Sequence, residues 1–320
     1  MSRWTLDWPT AAGPRLGQAI IRRSPADFFV DETLVMPLSG EGEHLCVRLE
    51  KTGDNTRYVA GGLARIAGCR TGDIGYCGLK DRWAVTRQWF SIPWPARSDS
   101  EPLIRAIKSE WSVLDVARHE RKLRRGDHAD NHFRLVLRDV SAPVSDIDAR
   151  LDTLARQGCP NYFGAQRFGH DGGNLDEAMA EAGRRPRKGG LYRSAARAWL
   201  FNAVLAARVR AGNWRDRLPG EPDDHGVTGP LWGDGGTNAT GEQASLETAV
   251  VAECPELAAV FATSRMPPER RRLVLLLPDL TWEWPAQDTL SLSFSLPPGA
   301  FATSVLAELL AVATDDKPAA

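Results

Sequence analysis

Residues 289–296 read TLSLSFSL, in which Leu290, Leu292, Phe294 and Leu296 alternate with three serines. Side chains two apart on a strand share a face, so this stretch encodes a β-strand with one apolar and one polar side. The first 140 residues repeat that pattern. FFVDETLVM (28–36), HLCVRLE (44–50), VTRQWFSI (85–92), WSVLDVA (111–117) and FRLVLRDV (133–140) are each apolar, β-branched or alternating. In the last of these, Phe133, Leu135 and Leu137 fall on one face and Arg134, Val136 and Arg138 on the other. Helices interrupt these strands and then fill the middle of the chain. DNTRYVAGGLARIAG predicts a helix from an Asp/Asn cap to Gly68, and a second runs from Ser145 through Leu154 to Gly158. LYRSAARAWLFNAVLAARVRAG (191–212) predicts a long helix. GEPDDHGVTGPLWGDGGTNATGEQAS reads as long loops, ETAVVAECPELAAVFA as a helical pair broken at Pro255, and SVLAELLAVAT as a closing helix. Strands at both ends around a helix-and-loop middle predict an α+β fold with a mixed or antiparallel sheet. One domain, 1–157 with 278–320, would be split by an inserted domain at 158–277.

The composition excludes several classes. The chain has 320 residues, 42% hydrophobic and 25% charged, as expected for a globular protein. No apolar run approaches the roughly 20 residues that span a bilayer, so no membrane association is expected. MSRWTLDWPTAAGPRLGQ lacks the apolar core of a signal peptide, so a cytoplasmic location is expected. Five cysteines lie at scattered spacings without a C-x-x-C pair, and six histidines form no metal signature. Phosphate-binding glycine fingerprints are also missing, so neither a metal nor a nucleotide cofactor is expected. Net charge is −1, but the bases are segregated: RHERKLRR (118–125) holds five bases and one acid, and 181–197 holds six bases and one acid. Such segregation is one footprint of nucleic-acid binding, although solvated faces produce the same pattern.

Within GYCGLKDRWAVTRQWFSI (75–92), Asp81 stands between Lys80 and Arg82 in a turn between two strands. A carboxylate in that setting is ionised at neutral pH and can attack electrophilic carbon; it can equally be a surface salt-bridge partner. Asn131 lies two residues before Phe133, hence on the same strand face. An amide can pair with the edge of a base and a phenyl ring can stack on it. Phe28 and Phe301 also sit at element edges. NYFGAQRFGHDGGN (161–174) reads as a shaped loop or an interdomain hinge.

These segments carry a family resemblance. GLKDRWAVTRQ resembles the G-x-K-D-x-x-A-x-T-x-Q signature of the TruD family of tRNA pseudouridine synthases. PADFFVDE, GEGEHLCVRLEKTGDNTRYVA, ARHERKLRRG, NHFRLVLR, PNYFGAQRFG, SAARAWLFN and FATSVLAELL resemble its other blocks in the same order. The resemblance spans nearly the whole chain and is weakest at about 213–270, where this chain is shorter than typical bacterial relatives. It implies a pseudouridine synthase catalytic domain interrupted by an α/β TRUD domain. The implied activity is isomerisation of uridine to pseudouridine in tRNA, usually at uridine 13 of the D arm, by a monomer without a cofactor. By motif position Asp81 is the implied nucleophile, and Phe28, Asn131, Phe133 and Phe301 fall on substrate-binding positions. Lys80 and Arg22 are the implied cationic neighbours. Arg22 replaces the Lys often found there, and Arg23 is a rival partner for Asp81. Attack at C1′ and attack at C6 both stay open. Two other functions fit the residues: a non-catalytic RNA-binding module, and a hydrolase pairing Asp81 with Asp31 or Glu32.

Overall fold

The computed structural model describes residues 3–183, 190–223, 226–262 and 264–315. In chain order the elements are β1 (Gln18–Ile21), β2 (Phe28–Leu34), β3 (His44–Thr52), α1 (Thr56–Ala67), β4 (Gly75–Tyr76), β5 (Val85–Pro93), α2 (Glu101–Lys108), β6 (Ser112–His119) and β7 (His128–Arg138). Then follow α3 (Val144–Gln157), β8 (Cys159–Pro160), α4 (Gly173–Ala180), α5 (Leu191–Arg210), β9 (Thr228–Leu231), α6 (Gly241–Ala252) and α7 (Pro255–Ala259). The chain closes with β10 (Glu269–Arg272), β11 (Val274–Leu275), β12 (Thr281–Ala286), β13 (Thr289–Leu296), α8 (Ala302–Ala307) and β14 (Ala311–Thr314).

The chain forms two compact units, one of residues 17–144, 277–298 and 311–320, the other of 1–16, 145–276 and 299–310. The first is built on a mixed sheet in the order β12-β13-β7-β2-β5-β3-β6, with β1 joining β7 and β14, and β4 joining β5. Only β2–β5 and β1–β14 run parallel among these described pairs. The alternation of TLSLSFSL is realised residue by residue: Leu290, Leu292, Phe294 and Leu296 are fully buried and the serines between them are not. On β3, Leu45, Val47 and Leu49 are buried, packing with Phe90, Ile92 and the α1 residues Val59 and Leu63, but Cys46 between them is buried too, so the alternation expected there holds only in part. The Asn55 side chain caps α1 by accepting from the Tyr58 N–H, and Gly68 ends it in the left-handed conformation at φ 66°.

The second unit combines helices with two short antiparallel ladders, β9–β10 and β8–β11. Its core surrounds α5, whose buried face includes Ala195, Ala198, Phe201 and Leu205. Pro255 opens α7, separating it from α6 as expected.

Two expectations need correction. Residues 311–314 are a strand, not the end of a helix, because their backbone pairs in parallel with Gln18–Ile21. The stretch read as long loops contains β9 and the start of α6, since Thr228–Leu231 finds a partner in Glu269–Arg272. The segment 145–157 groups with residues 1–16 and 299–310, and the Arg150 guanidinium donates to the carbonyls of Gly13, Pro14 and Glu308.

Candidate active site

Parallel pairing of β2 with β5 brings together the segments that lead into them. Arg22 directly follows β1, at the start of the segment that leads into β2, and Asp81 lies in the turn that leads into β5. The Arg22 Nη2 donates to Asp81 Oδ2 at 2.5 Å. The Arg22 backbone sits in the left-handed region at φ 61°, which a non-glycine residue occupies at a cost of about 1–2 kcal/mol. The Trp83 indole holds it there, donating to the Arg22 carbonyl at 3.0 Å. From this position the guanidinium covers the Phe28 ring, 4.0 Å from its centroid. The choice between Arg22 and Arg23 is thereby decided: Arg23 bonds to Asp139.

The turn carrying Asp81 is fixed by buried neighbours. The Thr56 hydroxyl accepts from the Lys80 N–H at 2.9 Å and donates to Gln88 Oε1 at 3.0 Å. The Gln88 amide in turn donates to the Gly78 carbonyl at 2.7 Å. Beyond Asp81, Arg82 Nε donates to the Gly53 carbonyl at 2.9 Å. Lys80 does not face Asp81 as the sequence suggested. Its ammonium is buried and donates to Glu32 Oε2 at 2.5 Å, while Glu32 Oε1 accepts from the Trp89 N–H at 3.3 Å. Lys80 therefore holds the turn from below, and Arg22 is the cation that meets the carboxylate. The Asp81 side chain is 62% exposed, so the partial desolvation expected of a nucleophile is not supplied by these neighbours. A docked substrate would have to exclude the water.

One face of the sheet carries the rest. Paired residues in adjacent strands share a face, and β2–β7 pairing sets Val30 beside Phe133 and Glu32 beside Asn131. Phe28, Glu32, Asn131 and Phe133 thus lie on the same side. Phe133 is half-buried, stacked on Phe294 at 5.7 Å and edge-on to Phe28 at 6.0 Å. Phe28 is buried between Arg22 and Phe133. Asn131 Oδ1 is shielded from solvent and has no hydrogen-bond partner, which marks an acceptor awaiting a donor. Phe301 belongs to the other unit, where it packs against Phe163 at 5.9 Å, and Arg271 lies over Phe163 at 4.1 Å.

Sequence reading missed Thr56, Gln88 and Trp83 as supports of the turn. Gln88 closes the G-x-K-D-x-x-A-x-T-x-Q signature, and Thr56 stands at the start of the capped α1, which are the signals they carry. Lys51 was also missed. It is buried beside this network, donates to the Asp54 carbonyl at 2.7 Å, and has its ammonium lowered to about 8 by burial. Between about pH 8 and 10.5 the unfolded chain holds that proton and the folded chain does not. Stability should therefore rise with pH across that window. Lys51→Met should flatten the rise, as a pH series of urea midpoints would read.

Of the basic segment 118–125, most members are already engaged. Arg118 donates to the carbonyls of Trp94 and Ser98, Arg121 to Asp127, and Lys122 to the Gly72 carbonyl. The second basic segment falls partly at 184–189, outside the described residues, and its Arg197 is buried against Trp232 and Glu269.

A family model described as "tRNA pseudouridine synthase D (TruD)" matches residues 13–177. The chain is 51% identical to a tRNA pseudouridine synthase D of Marinobacter nauticus, over 96% of this chain and 95% of that protein. This chain belongs to the TruD family. Another relative of that name, from Azotobacter vinelandii, is 45% identical over 97% of this chain and 96% of its own length. Among solved structures, a putative tRNA pseudouridine synthase D from Methanosarcina mazei superposes with a TM-score of 0.67 at 21% identity, covering 96% of each chain, which supports the TruD fold. Asp81 ends the stretch Gly78-Leu79-Lys80-Asp81, and Arg22 reaches it from 59 residues earlier in the chain.

Proposed function

We propose that this chain converts uridine to pseudouridine in tRNA, at uridine 13 of the D arm, with Asp81 as the nucleophile. The observation that carries this reading is the Asp81 carboxylate held on Arg22 beside a sheet face bearing Phe133 and the unpartnered Asn131 Oδ1. Isomerisation breaks the N1–C1′ bond, turns the uracil and joins C5 to C1′. The reacting atoms are covered in a stacked helix, so the nucleotide must be extruded, at a cost of a few kcal/mol. Phe133 offers a ring on which the base can stack, returning about 1–3 kcal/mol. Asn131 Oδ1 can accept the uracil N3–H, which satisfies both groups. Phe28 backs Phe133 and Arg22. Phe301 is assigned to substrate binding on its motif position alone.

Arg22 aims Asp81 by holding Oδ2, leaving Oδ1 outside the salt bridge. Attack at C1′ would expel uracil as the leaving group, and attack at C6 would form a base adduct. Both use the same oxygen, and both return an isomer with no net redox change. The unit built on the large sheet is the catalytic one in this reading, acting in the cytoplasm as a monomer. The hydrolase alternative loses its partner acid: Asp31 is held by Arg48 at 2.6 Å, and Glu32 is buried on Lys80.

Phe133→Ala should reduce the single-turnover rate at least about tenfold while changing tRNA affinity less, because phosphate contacts dominate binding. Equal losses in rate and affinity would make Phe133 a core residue only. The function itself is tested by mapping pseudouridine in tRNA from cells with and without the gene. Loss of the modification at uridine 13 is expected, and its persistence would remove the assignment.

A further inference from the structure

A cavity of about 450 Å³ opens on the sheet-bearing unit, away from the Asp81 carboxylate. It is lined by Arg57, Ile74, Tyr76, Lys122, Arg124 and Arg125, among others. Its floor is apolar: Ile74 and Ala60 are buried, and Tyr76 packs edge-on against Phe90. Its rim is cationic. Arg57, Arg124 and Arg125 are exposed, and their side chains make no hydrogen bond or ion pair among the described residues.

The rim is built, not incidental. The Leu123 N–H donates to the Ser91 hydroxyl at 2.9 Å, and the Gly126 N–H donates to the Cys77 carbonyl at 3.0 Å. These bonds press the segment against β4. The close approach requires Gly75, where a Cβ would come within 2.4 Å of the Leu123 carbonyl. Arg121 and Lys122 are tied back to Asp127 and Gly72, so Arg124 and Arg125 are the members turned outward. Among the described residues, no acidic side chain lines the cavity. An apolar floor with three exposed guanidinium groups at the mouth, of which Arg124 alone lies in the field of a carboxylate, Asp127, matches an unpaired nucleotide: base inside, phosphates on the arginines. The link to the catalytic turn is covalent and short. Arg57 directly follows Thr56, whose hydroxyl holds the Lys80 N–H.

We propose that this cavity is a second RNA subsite, which seats an unpaired nucleotide of the substrate other than the reacting uridine. The proposal rests on the tRNA reading above. It explains why these arginines are left without partners while their neighbours in the same segment are spent on the fold.

The test separates a shaped subsite from a diffuse positive field. Gly72 lines the cavity, has an ordinary backbone conformation, and a Cβ there meets nothing within 4 Å. Gly72→Trp therefore adds bulk at the cavity lining while keeping every cation. Arg57→Glu with Arg125→Glu reverses the rim and leaves the cavity open. Arg97→Glu, at an exposed position elsewhere, serves as control. Affinity for an unmodified tRNA transcript is measured by anisotropy over a salt series, alongside single-turnover pseudouridine formation at saturating enzyme. Gly72→Trp and the charge-reversal variant should each bind at least tenfold more weakly, with the saturated rate within about twofold of the parent. The charge reversal should also make the salt slope shallower, by about 0.7–0.9 for each phosphate it no longer neutralises. The control should match the parent. Parent-like binding by Gly72→Trp would overturn the subsite, whatever the charge variant does. Because binding is read independently of turnover, a parent enzyme that forms no pseudouridine would defeat the functional reading without deciding this one.

Discussion

Asp81→Asn is expected to lower pseudouridine formation by at least about a thousandfold, or about 4 kcal/mol of barrier, while tRNA affinity stays within about tenfold. The carboxamide keeps the shape of the side chain and can still accept a hydrogen bond from Arg22. It loses the charge and the nucleophilic oxygen that either route of attack needs. The side chain is largely exposed, so the fold should survive the change. Chromatography of digested tRNA reads turnover, and filter binding reads affinity. Parent-like turnover would remove the nucleophile assignment and favour the non-catalytic RNA-binding alternative.

The second large effect concerns stability. Glu32→Gln should cost about 3–5 kcal/mol, because it leaves the Lys80 ammonium buried without its counter-charge. Glu32→Gln combined with Lys80→Met should recover most of that loss, since removing both charges also removes the desolvation penalty. Urea denaturation of the three proteins measures the cycle. The single variant should also lose turnover, because Lys80 anchors the turn that presents Asp81. An unchanged urea midpoint for Glu32→Gln would show that the pair does not hold the turn.

Much of the sheet was legible because strand facing is a local property. TLSLSFSL and FRLVLRDV told which side chains go inside, HLCVRLE did so except at the buried Cys46, and α1 was marked by Asn55 at one end and Gly68 at the other. Asn131 and Phe133 were placed on one face by spacing alone, and the β7 pairings keep them there. The misses were non-local. Ala311–Thr314 has no strand signature, and its partner Gln18–Ile21 lies at the opposite end of the chain. Thr228–Leu231 is a four-residue strand containing Gly and Pro, so its ladder with Glu269–Arg272 could not be seen in composition.

The site divided in the same way. Asp81 was found because it sits in a long, specific motif. Its cation was not fixed, because Arg22 and Arg23 are adjacent and a single backbone conformation decides between them. Lys80 was misplaced for a related reason. Its sequence neighbour is Asp81, but parallel β2–β5 pairing delivers Glu32 to its ammonium.

The account turns on one reaction at one nucleotide. Purified protein incubated with an unmodified tRNA transcript, followed by nucleoside analysis and position mapping, tests it most directly. The account predicts pseudouridine at uridine 13 and no release of free uracil. Free uracil in the supernatant, or bound tRNA that stays wholly unmodified, would contradict it.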